Sequence, residues 1–118
     1  MTSKEQSEKL LELGIDLSTS DLSDDDFPAW SLGALIEMLP DSISSGYTNI
    51  KGHTVRYWLE SDLKTEIKYI TDDEEYLLPK GTPKYLYSKS TITDDVSCFF
   101  DLVFDTLMWV FNEKCIEI

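Results

Sequence analysis

Histidine is almost missing from this chain, and positive charge is scarce. Its 118 residues hold one His, 10 Lys or Arg and 23 Asp or Glu, for a formal net charge of -13. The lone histidine, His53, follows Gly52 in a segment that reads as a turn. It has no second His and no Cys at ligand spacing, so no zinc site is expected. Cys98 and Cys115 also lack a metal-ligand spacing and read as reduced thiols; only parity speaks for a disulfide between them. Glycine is thin as well. Gly46 and Gly52 are too sparse for a phosphate loop, and no helix follows them. A nucleophile-elbow motif is lacking. No pattern reads DNA or RNA, and the charge opposes binding to phosphate backbones or anionic lipid. The most apolar run, Phe99 to Phe111, is broken by Asp101 and Asp105 and is too short to span a bilayer. The opening residues are polar, with no secretory core. These absences predict a cytoplasmic protein that is not an enzyme. No catalytic residue, cofactor or metal is expected, and no direct contact with nucleic acid or membrane.

What the chain does have is apolar and aromatic content. Hydrophobic residues make up 42%, with three Trp, six Tyr and five Phe. That supports one folded domain over residues 1–118 and argues against disorder. The densest local signal is Phe27-Pro28-Ala29-Trp30-Ser31-Leu32-Gly33-Ala34-Leu35-Ile36-Glu37-Met38-Leu39-Pro40. Leu32, Leu35, Ile36 and Leu39 fall on one face of a helix. Ser31 is the expected N-cap, with Trp30 and Leu35 at the two positions of a hydrophobic staple. Pro40 closes the segment. Gly33 weakens such a helix, and close approach of another element would explain it. Trp30 reads as a core anchor rather than a ligand platform.

This segment resembles a recurring stretch of small uncharacterised proteins of prophages and mobile elements in gut anaerobes. Lys4 to Asp16 is similar to their opening helix, and Val96 to Phe111 to their closing one. A Gly is expected after that last helix, where this chain has Asn112-Glu113-Lys114. The resemblance carries no catalytic or binding residues.

Ser3 and Gln6 fit a capping box, so a first helix is expected from about Lys4, with Gly14 at C′ and Ile15 at C″. Asp16 to Asp26 reads as an acidic connector. Clustered carboxylates raise the question of calcium, but the EF-hand spacing fails, leaving a solvated loop in which Asp25 or Asp26 caps a turn. Val55, Tyr57 and Leu59, then Thr65, Ile67 and Tyr69, alternate with polar residues as an antiparallel hairpin, Tyr57 opposite Ile67. Tyr47 to Ile50 could add a third strand. On this pattern Trp58 lies on the charged outer face, either stacked on a neighbouring cation or free to anchor a partner. Tyr76 to Pro79 and Lys84 to Tyr87 flank the turn Lys80-Gly81-Thr82-Pro83 and predict a second short hairpin. Lys80, Lys84 and Lys89 read as edge protection.

Thr93 is the expected cap of a long last helix, with Asp94 and Asp95 in its first turn. Val96, Phe99, Phe100, Val103, Phe104, Leu107, Val110 and Phe111 cover more than half of its circumference. Met108 and Trp109 flank the polar stripe, so either the sheet wraps far around the helix or a second molecule covers that side. Ile116 and Ile118 suggest a terminal strand.

The expectation is α+β: a small antiparallel sheet of about three to five strands on two short N-terminal helices and one long C-terminal helix. The functional expectation is a protein–protein interaction or accessory module, with Trp58, Trp109 and Met108 as candidate partner-binding residues. Homodimerisation is a weaker expectation. The alternatives are an acidic mimic of nucleic acid, or an enzyme with an unrecognised site. Residues 1–45 hold ten acids against two lysines, which concentrates the charge a mimic would need.

Overall fold

The computed structural model describes residues 1–24 and 26–113. The expected terminal strand, Cys115 and the turn role of Asp25 lie outside them. The first helix, α1 (Lys4–Glu12), opens with the full capping box between Ser3 and Gln6. It closes as the sequence implies: Gly14 adopts φ +84°, Gly14 N–H donates to Leu11 O at 3.0 Å and Ile15 N–H to Leu10 O at 3.2 Å. These two bonds make a Schellman motif, and Ile15 packs into the same buried cluster as Leu10.

The acidic connector is not a loop throughout, and this corrects the sequence reading. Asp16 caps a 3-10 turn (Leu17–Thr19) by accepting from Ser18 N–H. Strands β1 (Leu22–Asp24) and β2 (Phe27–Ala29) then form a small antiparallel hairpin, with Asp26 at φ +66° in its turn. Helix α2 (Leu32–Met38) follows, capped by Ser31, whose Oγ accepts from Ala34 N–H. Trp30 and Leu35 are both fully buried in one cluster, as a staple requires. No element approaches Gly33: a Cβ there would meet only Ser31 Oγ at 3.8 Å. The expected reason for that glycine is therefore absent.

The main sheet is antiparallel, in the order β3 (Ser42–Thr48), β4 (Thr54–Ser61), β5 (Glu66–Thr71), β6 (Tyr85–Ser90). Its register differs from the sequence expectation. Tyr57 pairs with Thr71, and Ile67 pairs with Ser61. The cause is Asp62, whose Oδ1 accepts from the N–H groups of Lys64 (2.8 Å), Thr65 (2.7 Å) and Glu66 (3.0 Å). That capture draws four residues into the loop and delays β5 to Glu66. The second expected hairpin is also corrected. Glu75–Leu77 is a 3-10 turn, and β6 pairs with β5 instead.

The last helix, α3 (Val96–Asn112), is capped by Asp95 and not Thr93, since the Asp95 carboxylate accepts from Ser97 N–H. It packs on α2 and across the inner face of β5. Trp30, Leu35, Ile67, Phe99, Val103 and Leu107 share one buried cluster, which joins the tryptophan-bearing segment, the phenylalanine-rich helix and the sheet. A second cluster unites Val55, Tyr57 and Tyr69 with Val110. The chain is thus α+β with a small antiparallel sheet and, among the described residues, three α-helices. Its Cα extents are 53 × 31 × 17 Å. The shortest fits two layers, a sheet and one layer of helices.

Candidate functional site

Alternation in β4 and β5 sends Val55, Tyr57, Ile67, Tyr69 and Thr71 inward and the residues between them outward. The inner face is covered by α3. Among the described residues no helix packs on the outer face, which explains how one sheet can be apolar on one side and charged on the other.

Trp109 belongs to the covered side. Its ring lies 4.5 Å from that of Tyr87 and 6.0 Å from that of Tyr69. Thr106 Oγ1, one turn earlier, is 2.8 Å from Leu102 O and 3.1 Å from Tyr87 Oη. With a single proton, Thr106 donates to the carbonyl and accepts from the tyrosine. Lys89 adds an ion pair to Asp105 at 3.4 Å. Strand β6 therefore wraps the helix as far as Trp109. Met108 is half-buried against the main cluster. Of the three candidate residues, Trp109 and Met108 contribute to packing within the chain, and neither lies beside Trp58.

Trp58 stands on the uncovered face and is 44% exposed. It pairs with Ser42 on β3 and Ile70 on β5, and Ile70 pairs with Tyr85 on β6, itself 50% exposed. A row of apolar and aromatic groups thus crosses β4, β5 and β6. Two charged rows flank it. On one side Glu60 pairs with Lys68 across the ladder, and Lys68 Nζ sits 3.8 Å from Glu60 and 3.6 Å from Glu66. The same ammonium lies 5.8 Å from the Tyr85 ring centroid. On the other side is Arg56, paired with Ser44 and donating to Ser42 Oγ at 2.9 Å. Asp72 directly follows Thr71, which pairs with Tyr57 at the end of β5, so it lies one step on toward the Arg56 end of the ladder, and Lys84 follows on the rim. The Arg56 guanidinium is engaged by a serine, not by the Trp58 ring. Trp58, Ile70, Asp72 and Lys84 help line a shallow depression of about 360 Å³ on this face.

Sequence reasoning placed Trp58 here but missed Ile70 and Tyr85. The signal for Ile70 was its parity with Trp58, obscured by the wrong register. Tyr85 gave none, because its pairing with β5 is non-local.

The remaining candidates dissolve into structure. Trp30 is fully buried, its Nε1 donating to Thr19 Oγ1 at 2.9 Å and its backbone N–H to Thr2 Oγ1 at 2.9 Å. His53 is an exposed turn residue whose N–H donates to Asn49 Oδ1 at 3.0 Å. Asp21 serves α2: its carboxylate accepts from the Ser31 hydroxyl and from Ser31 N–H at 2.8 Å. Those two bonds hold its carboxyl below the usual range, the hydroxyl contributing most. Among the described residues, no group of three or more His, Cys, Asp or Glu could hold a metal ion, and no helix is long and apolar enough to cross a membrane. Cys98 is exposed.

Two further depressions lie between the starts of α1 and α3. One, of about 610 Å³, is lined by Met1, Val96 and Phe100 among others. The next, of about 520 Å³, brings Glu5, Asp101 and Asp105 together. No family model matches the chain, and neither a curated protein nor a solved structure matches it.

Proposed function

We propose that this protein is a non-enzymatic interaction module of the cytoplasm that binds another protein through the outer face of its sheet. The observation that carries the reading is the uncovered row of Trp58, Ile70 and Tyr85 on a surface of balanced charge. Arg56, Lys68 and Lys84 stand against Glu60, Glu66 and Asp72 there, so the whole excess of -13 falls on the rest of the chain. A half-exposed tryptophan inside a ring of polar groups is the usual make-up of an interface centre. An accessory role in a phage or mobile element rests on the sequence resemblance of residues 4–16, 28–40 and 96–111.

Affinity capture with wild type, Trp58→Ala and Trp109→Ala tests the reading. Trp58→Ala is expected to lose the partner while staying folded, with only a small loss of stability. Trp109→Ala is expected to lower stability first. A partner bound equally well by Trp58→Ala contradicts the proposal.

The acidic-mimic reading draws support from Glu5, Asp101 and Asp105 around one depression. Two of those three carboxylates are already paired, Glu5 with Lys9 at 3.7 Å and Asp105 with Lys89 at 3.4 Å, which weakens a phosphate-like array. A mimic would bind a basic DNA-binding protein with steep salt dependence; salt-insensitive binding counts against it.

A further inference from the structure

We propose that the occupant of the outer sheet face is a second copy of this chain, docked face to face about a two-fold axis. The inference rests on the reading of that face as the binding surface and adds the identity of what binds. It follows from how the charges are ordered. Along β4 the outward residues run Arg56, Trp58, Glu60: a cation, an aromatic, an anion. Beside them, β5 and its end run Lys68, Ile70, Asp72, with Lys68 next to Glu60 and Ile70 next to Trp58. The four charges nearest the apolar row are therefore antisymmetric about it.

A two-fold axis lying along that row, in the plane between two facing sheets, reverses the strand direction and keeps each strand's place across the sheet. Trp58 then meets Trp58 of the second copy. Arg56 meets Glu60, Lys68 meets Asp72, and symmetry makes every pair twice. Stacked sheets settle at about 30° to each other. Two residues along a strand span about 6.8 Å, so that rotation displaces the charged groups sideways by roughly 3 Å, within reach of an Arg or Lys stem.

Net charge usually forbids self-association in so acidic a molecule, and here it does not. The excess acids lie off this balanced face, many of them on the helical layer. That layer is about 10 Å behind the sheet, beyond the screening length of about 8 Å at physiological salt. The size of the contact sets its strength. Four strands at about 4.8 Å and six residues at about 3.4 Å give a plan area of roughly 400 Å², under the roughly 800 Å² per partner of standard interfaces. The dimer is thus a weak, reversible one.

Charge reversal tests the geometry. Arg56→Glu sets carboxylate against Glu60 twice, and Glu60→Arg sets cation against Arg56 twice. Sedimentation equilibrium up to millimolar protein is expected to show each single variant at least about tenfold weaker in self-association than wild type. The double variant Arg56→Glu with Glu60→Arg is expected to recover wild-type association. Both substituted positions, Arg56 and Glu60, are exposed, and thermal melts check that each variant folds. Wild type that stays monomeric at every concentration overturns the proposal, as does self-association that ignores the single reversals or is not restored by the double one. If wild type is monomeric while Trp58→Ala still abolishes capture of a different protein, only the second copy is refuted and the binding face stands. If neither effect occurs, both fall.

Discussion

Gly33 lies exposed near the start of α2, with ordinary negative φ and open space where a Cβ would go. It gains nothing from being glycine in the folded state. Gly33→Ala is expected to raise stability by about 0.5–1 kcal/mol in urea denaturation, through better helix propensity and a less disordered unfolded chain. An unchanged or lower midpoint would point to a role for this position outside the helix. Asp62 is a contrasting residue. Its carboxyl is held well below the usual range, first by the Thr65 hydroxyl and then by the backbone N–H groups of Thr65, Lys64 and Glu66. A carboxyl with a lowered folded-state value stabilises fully above its unfolded value of about 4, and that stabilisation fades as pH falls through the folded one. Asp62→Ala is expected to melt below wild type at neutral pH, with the gap narrowing in acid; a gap independent of pH would refute the assignment. At this scale local chemistry was legible in the sequence. The Ser31 cap, the Trp30–Leu35 staple and the Ser3–Gln6 box involve residues at most five apart. Asp62 was not legible, because a carboxylate that gathers three amides looks on paper like any other loop acid.

Helix α1 ends on Gly14 at φ +84°, a conformation that costs any residue with a Cβ. Gly14→Ala is expected to destabilise by about 1 kcal/mol and to release Ile15 from the core, read by urea denaturation. Helix α3 is fixed differently. Trp109 between Tyr69 and Tyr87 ties its last turns to the sheet, so Trp109→Ala is expected to cost about 2–3 kcal/mol, whereas Trp58→Ala is expected to cost under about 1 kcal/mol. Equal losses would mean that the two faces of the sheet are not distinct. Capping signals gave α1, and periodicity gave α2, α3 and the β4–β5 hairpin, though not its register. Periodicity could not decide whether β6 or another molecule covers Trp109, since β6 is separated from its partner β5 by the excursion through residues 72–84. Nor could it show that β6 pairs with β5 instead of with Tyr76 to Leu78. Non-local pairing of this kind leaves no mark in local sequence.

The whole molecule is a thin two-layer plate, 17 Å in its shortest Cα extent, with its helices on one side and an open sheet on the other. Its acids lie mostly away from the open side. The sequence could supply the total charge but not this segregation, which depends on the register that places Arg56, Lys68 and Lys84 among Glu60, Glu66 and Asp72. The account's central claim is that the open side is the surface on which a second copy docks and that the helical side is scaffold. Amide chemical shifts followed by NMR over a dilution series, from millimolar to low micromolar protein, test it directly. The account predicts concentration-dependent shifts confined to Ser42, Arg56, Trp58, Glu60, Lys68, Ile70 and Tyr85, with α3 unmoved. Shifts centred on Met108 and the exposed side of α3, or a spectrum that does not change with concentration, would contradict it.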